Sequence, residues 1–201
     1  MDEALTRSEY HKLMSYFEDN TGRKHWLRNA LLMRLGFECG LKISDIRLLK
    51  VSNFNGNLDT INATRIGNSN STISLISNST ADLLRRYIKE KSLKRNQYIF
   101  ISQKSTVISA TQIHMIFKDA SKGVRLPILK SHYQTLKYTN KKVIEDLGLG
   151  KNAIRTQLGY KKIIGSCEDP DISQEEIIEF LMHYKKTDNN YFENLIKYKA
   201  D

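Results

Sequence analysis

Between Val51 and Ile76 the chain changes its period, and that change constrains the fold more than any other feature. Asn55-Gly56 and Gly67-Asn68-Ser69-Asn70 are turn signals, and Leu58, Ile61, Ile73 and Leu75 alternate with polar residues. Alternation of this kind belongs to a half-buried strand, so the stretch reads as an antiparallel hairpin or a three-stranded sheet. On either side of it the apolar residues keep helical spacing.

The helices carry their own start and stop signals. Thr6-Arg7-Ser8-Glu9 is a capping box, followed by Tyr10, Leu13, Met14 and Phe17 on one face. A longer apolar helix is expected over about 24–39, with Trp26, Leu27, Ala30, Leu31, Leu35 and Phe37 inward and Gly40 ending it. Ser44 is placed to cap a short helix through Leu48 and Leu49. After the sheet, Ser79-Thr80-Ala81-Asp82 opens a helix carrying Leu83, Leu84, Tyr87 and Ile88, and Tyr98–Ile101 reads as a short strand. Ser109-Ala110-Thr111-Gln112 caps a helix with Ile113, Ile116 and Phe117 inside. Further helices are expected over about 130–147, 151–158, 173–184 and 190–199. The fold class is therefore mainly α with a small antiparallel β-sheet (α+β).

Charge narrows the choice of partner. The net charge is +10, but residues 168–201 hold nine acids and four bases, a net of −5, which leaves +15 on residues 1–167. A body so basic suits a polyanion, with nucleic acid the first candidate and an anionic membrane surface the second. The plainer reading is that the charge only serves solubility. We divide the chain into a basic domain over 1–167 and an acidic helical segment over 168–201, docked on its own domain or on a neighbour. No apolar run approaches the ~20 residues that span a bilayer, and the N-terminus has no signal-like apolar stretch. Cys39 and Cys167 lie far apart, outside any C-x-x-C spacing. The expected compartment is the cytoplasm. His11, His25, His114 and His183 show no paired ligand spacing, so no metal or other cofactor is expected.

Several stretches together resemble one family. Leu5-Thr6-Arg7-Ser8-Glu9, Arg28-Asn29-Ala30-Leu31-Leu32 and Gly40-Leu41-Lys42-Ile43-Ser44-Asp45-Ile46 are similar to the opening of the catalytic domain of tyrosine recombinases, the phage integrases. The resemblance continues through Thr64-Arg65-Ile66-Gly67, Thr111-Gln112-Ile113, Gln134-Thr135-Leu136-Lys137-Tyr138-Thr139 and Leu158-Gly159-Tyr160. It implies the recombinase catalytic-domain fold and a family chemistry in which a tyrosine attacks a DNA phosphodiester. In that chemistry two arginines grip the scissile phosphate, a hairpin lysine donates a proton, and two histidines, or a histidine and a tryptophan, assist. Charge growing on the phosphorane's equatorial oxygens is met bidentately by a guanidinium fork, and the leaving oxygen needs an acid within reach.

At each of these positions the chain departs from the pattern. Lys42 stands for the first arginine, Arg65 for the hairpin lysine, Gln134 for a histidine, Lys137 for the second arginine and Tyr160 for the late histidine. Where the nucleophile would follow, Cys167-Glu168-Asp169-Pro170 contains no tyrosine. Lysine keeps charge but loses the fork, arginine does not give up its proton usefully, and glutamine is neither acid nor base. These five positions read as vestigial, and no catalytic residue is assigned. The alternative nucleophile is Tyr184, which sits at helical spacing beside Ile177, Phe180 and Leu181 and reads first as a core residue.

The expectation is a non-catalytic, integrase-like protein that binds double-stranded DNA. It resembles the integrase-like repressors of prophages and mobile elements. The DNA contacts are expected from Lys42, Arg65, Arg85, Arg86, Lys118, Lys122, Gln134, Lys137, Lys141, Lys142, Lys151 and Arg155, with Lys89 and the 91–95 loop nearby. Tyr133, Asn140 and the 151–157 helix are the candidates for reading base edges. Recombinases of this family also carry an N-terminal core-binding domain, and this chain begins near the first catalytic-domain helix. A single domain is expected to bind weakly unless it self-associates. No effector is identified. The alternatives are a divergent active recombinase and a basic protein-interaction module.

Overall fold

The structure, a computed structural model, describes residues 3–19, 21–64, 71–104, 106–146 and 157–158. The first helix, α1, spans Arg7–Glu18. Its capping box forms as expected: Glu9 N–H donates to Thr6 Oγ1 at 3.2 Å, and Thr6 N–H donates to Glu9 Oε2 at 2.7 Å. Tyr10, Leu13, Met14 and Phe17 are buried beneath it. Glu9 also accepts from Lys130 Nζ at 2.8 Å, fastening α1 to the distant turn before the last described helix. Burial pushes the Glu9 carboxyl up, but the hydrogen bonds and charge of Lys130 and the Thr6 bond outweigh it and hold it below the usual value.

The second helix, α2 (Trp26–Glu38), is the axis of the molecule. Leu27, Ala30, Leu31, Leu32, Met33, Leu35 and Phe37 are all buried. A helix apolar around most of its circumference has to be covered on most sides. α1 packs on it, and so do two helices introduced below. Gly36 is needed there: a Cβ at this position would lie 2.2 Å from Tyr133 Oη.

Lys42 opens α3 (Ile43–Ile46), so the expectation that Ser44 caps a helix reaching Leu48 and Leu49 is corrected. Extended backbone at Lys42 leaves its carbonyl to accept from Asp45 and Ile46, placing Ser44 inside the turn, where its hydroxyl bonds Asp45 Oδ1. The sheet is a two-stranded antiparallel pair, β1 (Thr60–Thr64) with β2 (Ser71–Leu75), in register from Thr60 opposite Leu75 to Thr64 opposite Ser71. Ile61 and Leu75 are both buried but lie on opposite faces of the pair, Ile61 opposite Ser74 and Leu75 opposite Thr60, and Phe54 adds a single bridge to Ile61.

α4 (Asn78–Lys91) is capped by Ser77, whose hydroxyl accepts from Thr80 N–H, and it ends at Ser92 in the left-handed region. Tyr98–Ile101 is not a strand. It makes only the isolated bridges Lys50–Tyr98 and Ile101–Val107, while Ile99 and Phe100 are fully buried. Its apolar character reflects burial, and among the described residues no partner strand extends a ladder along it. α5 (Ala110–Gly123) starts at the expected Ser109–Gln112 capping box and buries Ile113 and Phe117. A 3₁₀ turn at Ile128–Lys130 follows Pro127, so the last described helix, α6 (Thr135–Asp146), begins later than position 130.

Both α4 and α6 pack on α2. The result is the mainly α arrangement with a small antiparallel sheet that the periodicity indicates. No helix among the described residues is long and apolar enough to cross a membrane. The hairpin turn at 65–70, most of the 151–158 helix and the 168–201 segment, with Pro170 and Tyr184, lie outside the described residues.

Candidate nucleic-acid interface

The C-terminal end of α2 brings three distant stretches of sequence together. Gly40 follows the helix with φ +56°, a conformation that favours glycine. A Cβ here would lie 2.5 Å from Leu158 Cδ2 and 3.2 Å from Lys137 Cγ. The segments around Gly40–Lys42, Gln134–Lys137 and Gln157–Leu158 therefore meet over one residue that has no side chain. Lys42 is exposed as the chain turns into α3. Gln134 is exposed at the entrance to α6, its carbonyl accepting from Lys137 and Tyr138 N–H at 3.0 and 3.2 Å. Lys137 is only 8% exposed, with its stem beside Gly40. His132, partly buried, has Nδ1 3.3 Å from Thr135 Oγ1.

The expected base readers have other places. Tyr133 is buried, its hydroxyl 3.5 Å from the Leu32 carbonyl and its ring edge-on to Phe117 at 6.0 Å. Burial drives its phenol pKa well above the usual range. The residue fills the notch left by Gly36 and offers nothing to a base. Asn140 is fully buried, with Nδ2 donating to the Glu38 carbonyl at 3.3 Å. Gln157, at the end of the third candidate stretch, is also buried. All three are corrected from groove-facing to interior residues, because each is packed against α2 or held by its final carbonyl.

The basic stretches divide by their partners. Arg85 pairs with Asp82, and Arg86 pairs with Glu90 at 2.7 Å and lies over the Trp26 ring at 5.1 Å. Lys141 reaches Glu145 at 3.5 Å. Such exposed pairs within one helix are worth well under ~1 kcal/mol and exchange readily for a phosphate. Lys118 and Lys122 on α5, Lys142 on α6, and Lys89, Lys91, Lys94 and Arg95 around the end of α4 are exposed. Arg65, Lys151, Arg155 and Tyr160 lie outside the described residues. No cluster suited to a metal ion occurs among the described residues.

One feature escapes the sequence patterns. The Glu38 carboxylate is buried at the C-terminal end of α2, where the helix dipole disfavours an acid. It accepts from Ser77 N–H at 2.8 Å, Ser77 Oγ at 2.7 Å and Thr80 Oγ1 at 2.7 Å, so it caps α4 from another helix. Burial raises its pKa against the lowering effect of these bonds. Its backbone carbonyl accepts from Asn140 and Gln157. The available signal was a glutamate closing an apolar helix, between Phe37 and Cys39.

Residues 3–136 match the model of the phage integrase family. No protein of curated function matches the chain in sequence. Among solved structures, the chain is similar to the XerA recombinase (15% identity, TM-score 0.68, covering 90% of this chain and 65% of that one). It is similar to the XerH site-specific recombinase bound to its difH substrate before cleavage (15%, 0.68, 94% and 52%). The catalytic core of lambda integrase matches at 19% identity and TM-score 0.60, over 79% of this chain and 95% of that core. The chain thus spans between about half and two-thirds of the first two relatives and nearly all of an isolated catalytic core. The fold is that of a tyrosine recombinase catalytic domain.

Proposed function

The chain belongs to the phage integrase family, and from that premise we propose that it binds double-stranded DNA without cutting it, as a regulator of the repressor type. One observation carries this reading. Lys42, Gln134 and Lys137, which the motifs align with phosphate-gripping and proton-moving residues, sit on segments that converge at Gly40. Their chemistry keeps positive charge and hydrogen bonding toward a phosphate, but supplies neither a guanidinium fork nor a neutral-pH acid or base. The exposed lysines of α5 and α6 add positive charge to the surface of the same domain. XerH is described as bound to its difH substrate, and duplex DNA is the polyanion that this chain's basic body would meet in the cytoplasm. Self-association would raise the modest affinity of one domain.

The experiment is a suicide-substrate assay, in which a nicked duplex traps any protein joined covalently to a cleaved strand. The expected result is a retarded complex that dissociates fully in denaturant. A covalent adduct, abolished by Tyr184→Phe, would overturn the proposal and establish a recombinase with a displaced nucleophile. Absence of any retarded complex would favour a protein-interaction module.

A further inference from the structure

Gln157 is 1% exposed, and its polar atoms are engaged on three sides. Oε1 accepts from Leu75 N–H at 2.9 Å, while Nε2 donates to the Leu75 carbonyl at 2.7 Å and to the Glu38 carbonyl at 2.6 Å. The Gln157 carbonyl accepts from Ser74 Oγ at 2.8 Å. One side-chain amide thus pairs with both backbone groups of the last residue of β2, as a neighbouring strand would. With its second donor it also holds the last carbonyl of α2. Both amide protons are used, so the bonds fix the residue's direction as well as its depth. A leucine could fill the same space but could slide or rotate there.

The next residue transmits this constraint. Leu158 is fully buried, and its side chain fills the space a Cβ on Gly40 would occupy, with the Lys137 stem alongside. One turn after Lys137, Asn140 donates to the same Glu38 carbonyl that Gln157 uses. Gln157 therefore anchors Leu158 to α2 and β2, and Leu158 in turn bounds the positions open to the Gly40–Lys42 turn and to Lys137. We infer that Gln157 is a positioning residue for DNA binding, holding Lys42 and Lys137 where a phosphate can be met. This inference rests on the DNA-binding reading above.

The test is a double-mutant cycle on the full chain, with binding to a labelled duplex measured over a range of salt at a temperature where circular dichroism shows every variant folded. Gln157→Leu is expected to weaken binding about tenfold and to reduce the slope of log affinity against log salt by about one, the signature of a lost phosphate contact. The double variant Gln157→Leu with Lys42→Ala should bind no more weakly than the weaker single variant, because both act on one contact. If Gln157→Leu does not fold, the cycle is run with Ser74→Ala, which removes the hydroxyl that donates to the Gln157 carbonyl and should give a smaller loss with the same non-additivity. An unchanged slope, or strictly additive losses in a wild type that binds, overturns the positioning role alone. A wild type without salt-dependent binding removes both this role and the DNA-binding reading.

Discussion

Glu38→Ala is expected to destabilise the domain by about 3 kcal/mol, because it strips three hydrogen bonds from a site with no water access. The carboxylate accepts from Ser77 N–H, Ser77 Oγ and Thr80 Oγ1, and Ser77 and Thr80 are themselves buried. Removing it leaves the first turn of α4 without its interhelical cap. Urea unfolding reports the loss as a lower midpoint at constant slope.

The same residue has a pH signature. Burial makes the folded state hold the Glu38 proton more tightly than the unfolded chain does. Its proton-linked contribution to stability is therefore full below the unfolded value of about 4.3 and is lost as pH rises through the folded value. The stability of the wild type relative to Glu38→Gln should accordingly fall as pH is raised from about 4 toward neutrality. Glu9 has the opposite sign: its carboxyl is held low, so its contribution is present above the unfolded value and disappears as pH falls through the folded one. Unfolding midpoints measured for the wild type and Glu38→Gln across this range separate the two; a pH-independent difference between them would contradict the account.

Gly40→Ala carries the second large effect. Its φ of +56° costs an L-residue about 1–2 kcal/mol, and the new methyl would stand 2.5 Å from Leu158 Cδ2, an overlap that costs about 1–3 kcal/mol more. A total loss of about 3 kcal/mol is expected. In a Leu158→Ala background, itself less stable for the cavity it leaves, the cost of Gly40→Ala should be smaller, since the clash is gone and the strain remains. DNA affinity should fall further than stability alone explains, because the displaced parts are the Lys42 turn and the Lys137 stem. Thermal unfolding and duplex binding of Gly40→Ala, Leu158→Ala and the double variant check both halves. An undiminished cost of Gly40→Ala in the Leu158→Ala background would mean that the contact over Gly40 is not what limits the site.

Local chemistry made much of the fold legible. The boxes at Thr6–Glu9 and Ser109–Gln112 form as written, because a side chain reaching three residues along depends on nothing distant. The strands around Ile61 and Leu75 were visible because one face of a strand repeats every second residue. Tertiary contacts hid the rest. Nothing in the polar run that leads into and through α6 marks Tyr133, just before the helix, or Asn140, within it, as interior residues; Tyr133 is inside because Gly36 leaves a notch for its ring, and Asn140 because the end of α2 offers it a carbonyl. Gln157 is similar: a glutamine suggests a solvated helix face until the end of β2 and Glu38 are placed beside it. The sequence pattern starts α6 too early, at about 130, because the 3₁₀ turn after Pro127 mimics the beginning of a helix. Motif order singles out Lys42 and Lys137, and Gly40 is where the segment leading to Lys42 meets the Lys137 stem.

The central claim is that the basic surface serves to bind DNA phosphates. It is tested most directly by titrating the wild-type chain into a labelled duplex at several salt concentrations. Engagement of four or more phosphates predicts that log affinity falls linearly with log salt with a slope of about −3.6 or steeper, at about −0.9 per phosphate. A flat dependence, or no binding at low salt, would contradict it.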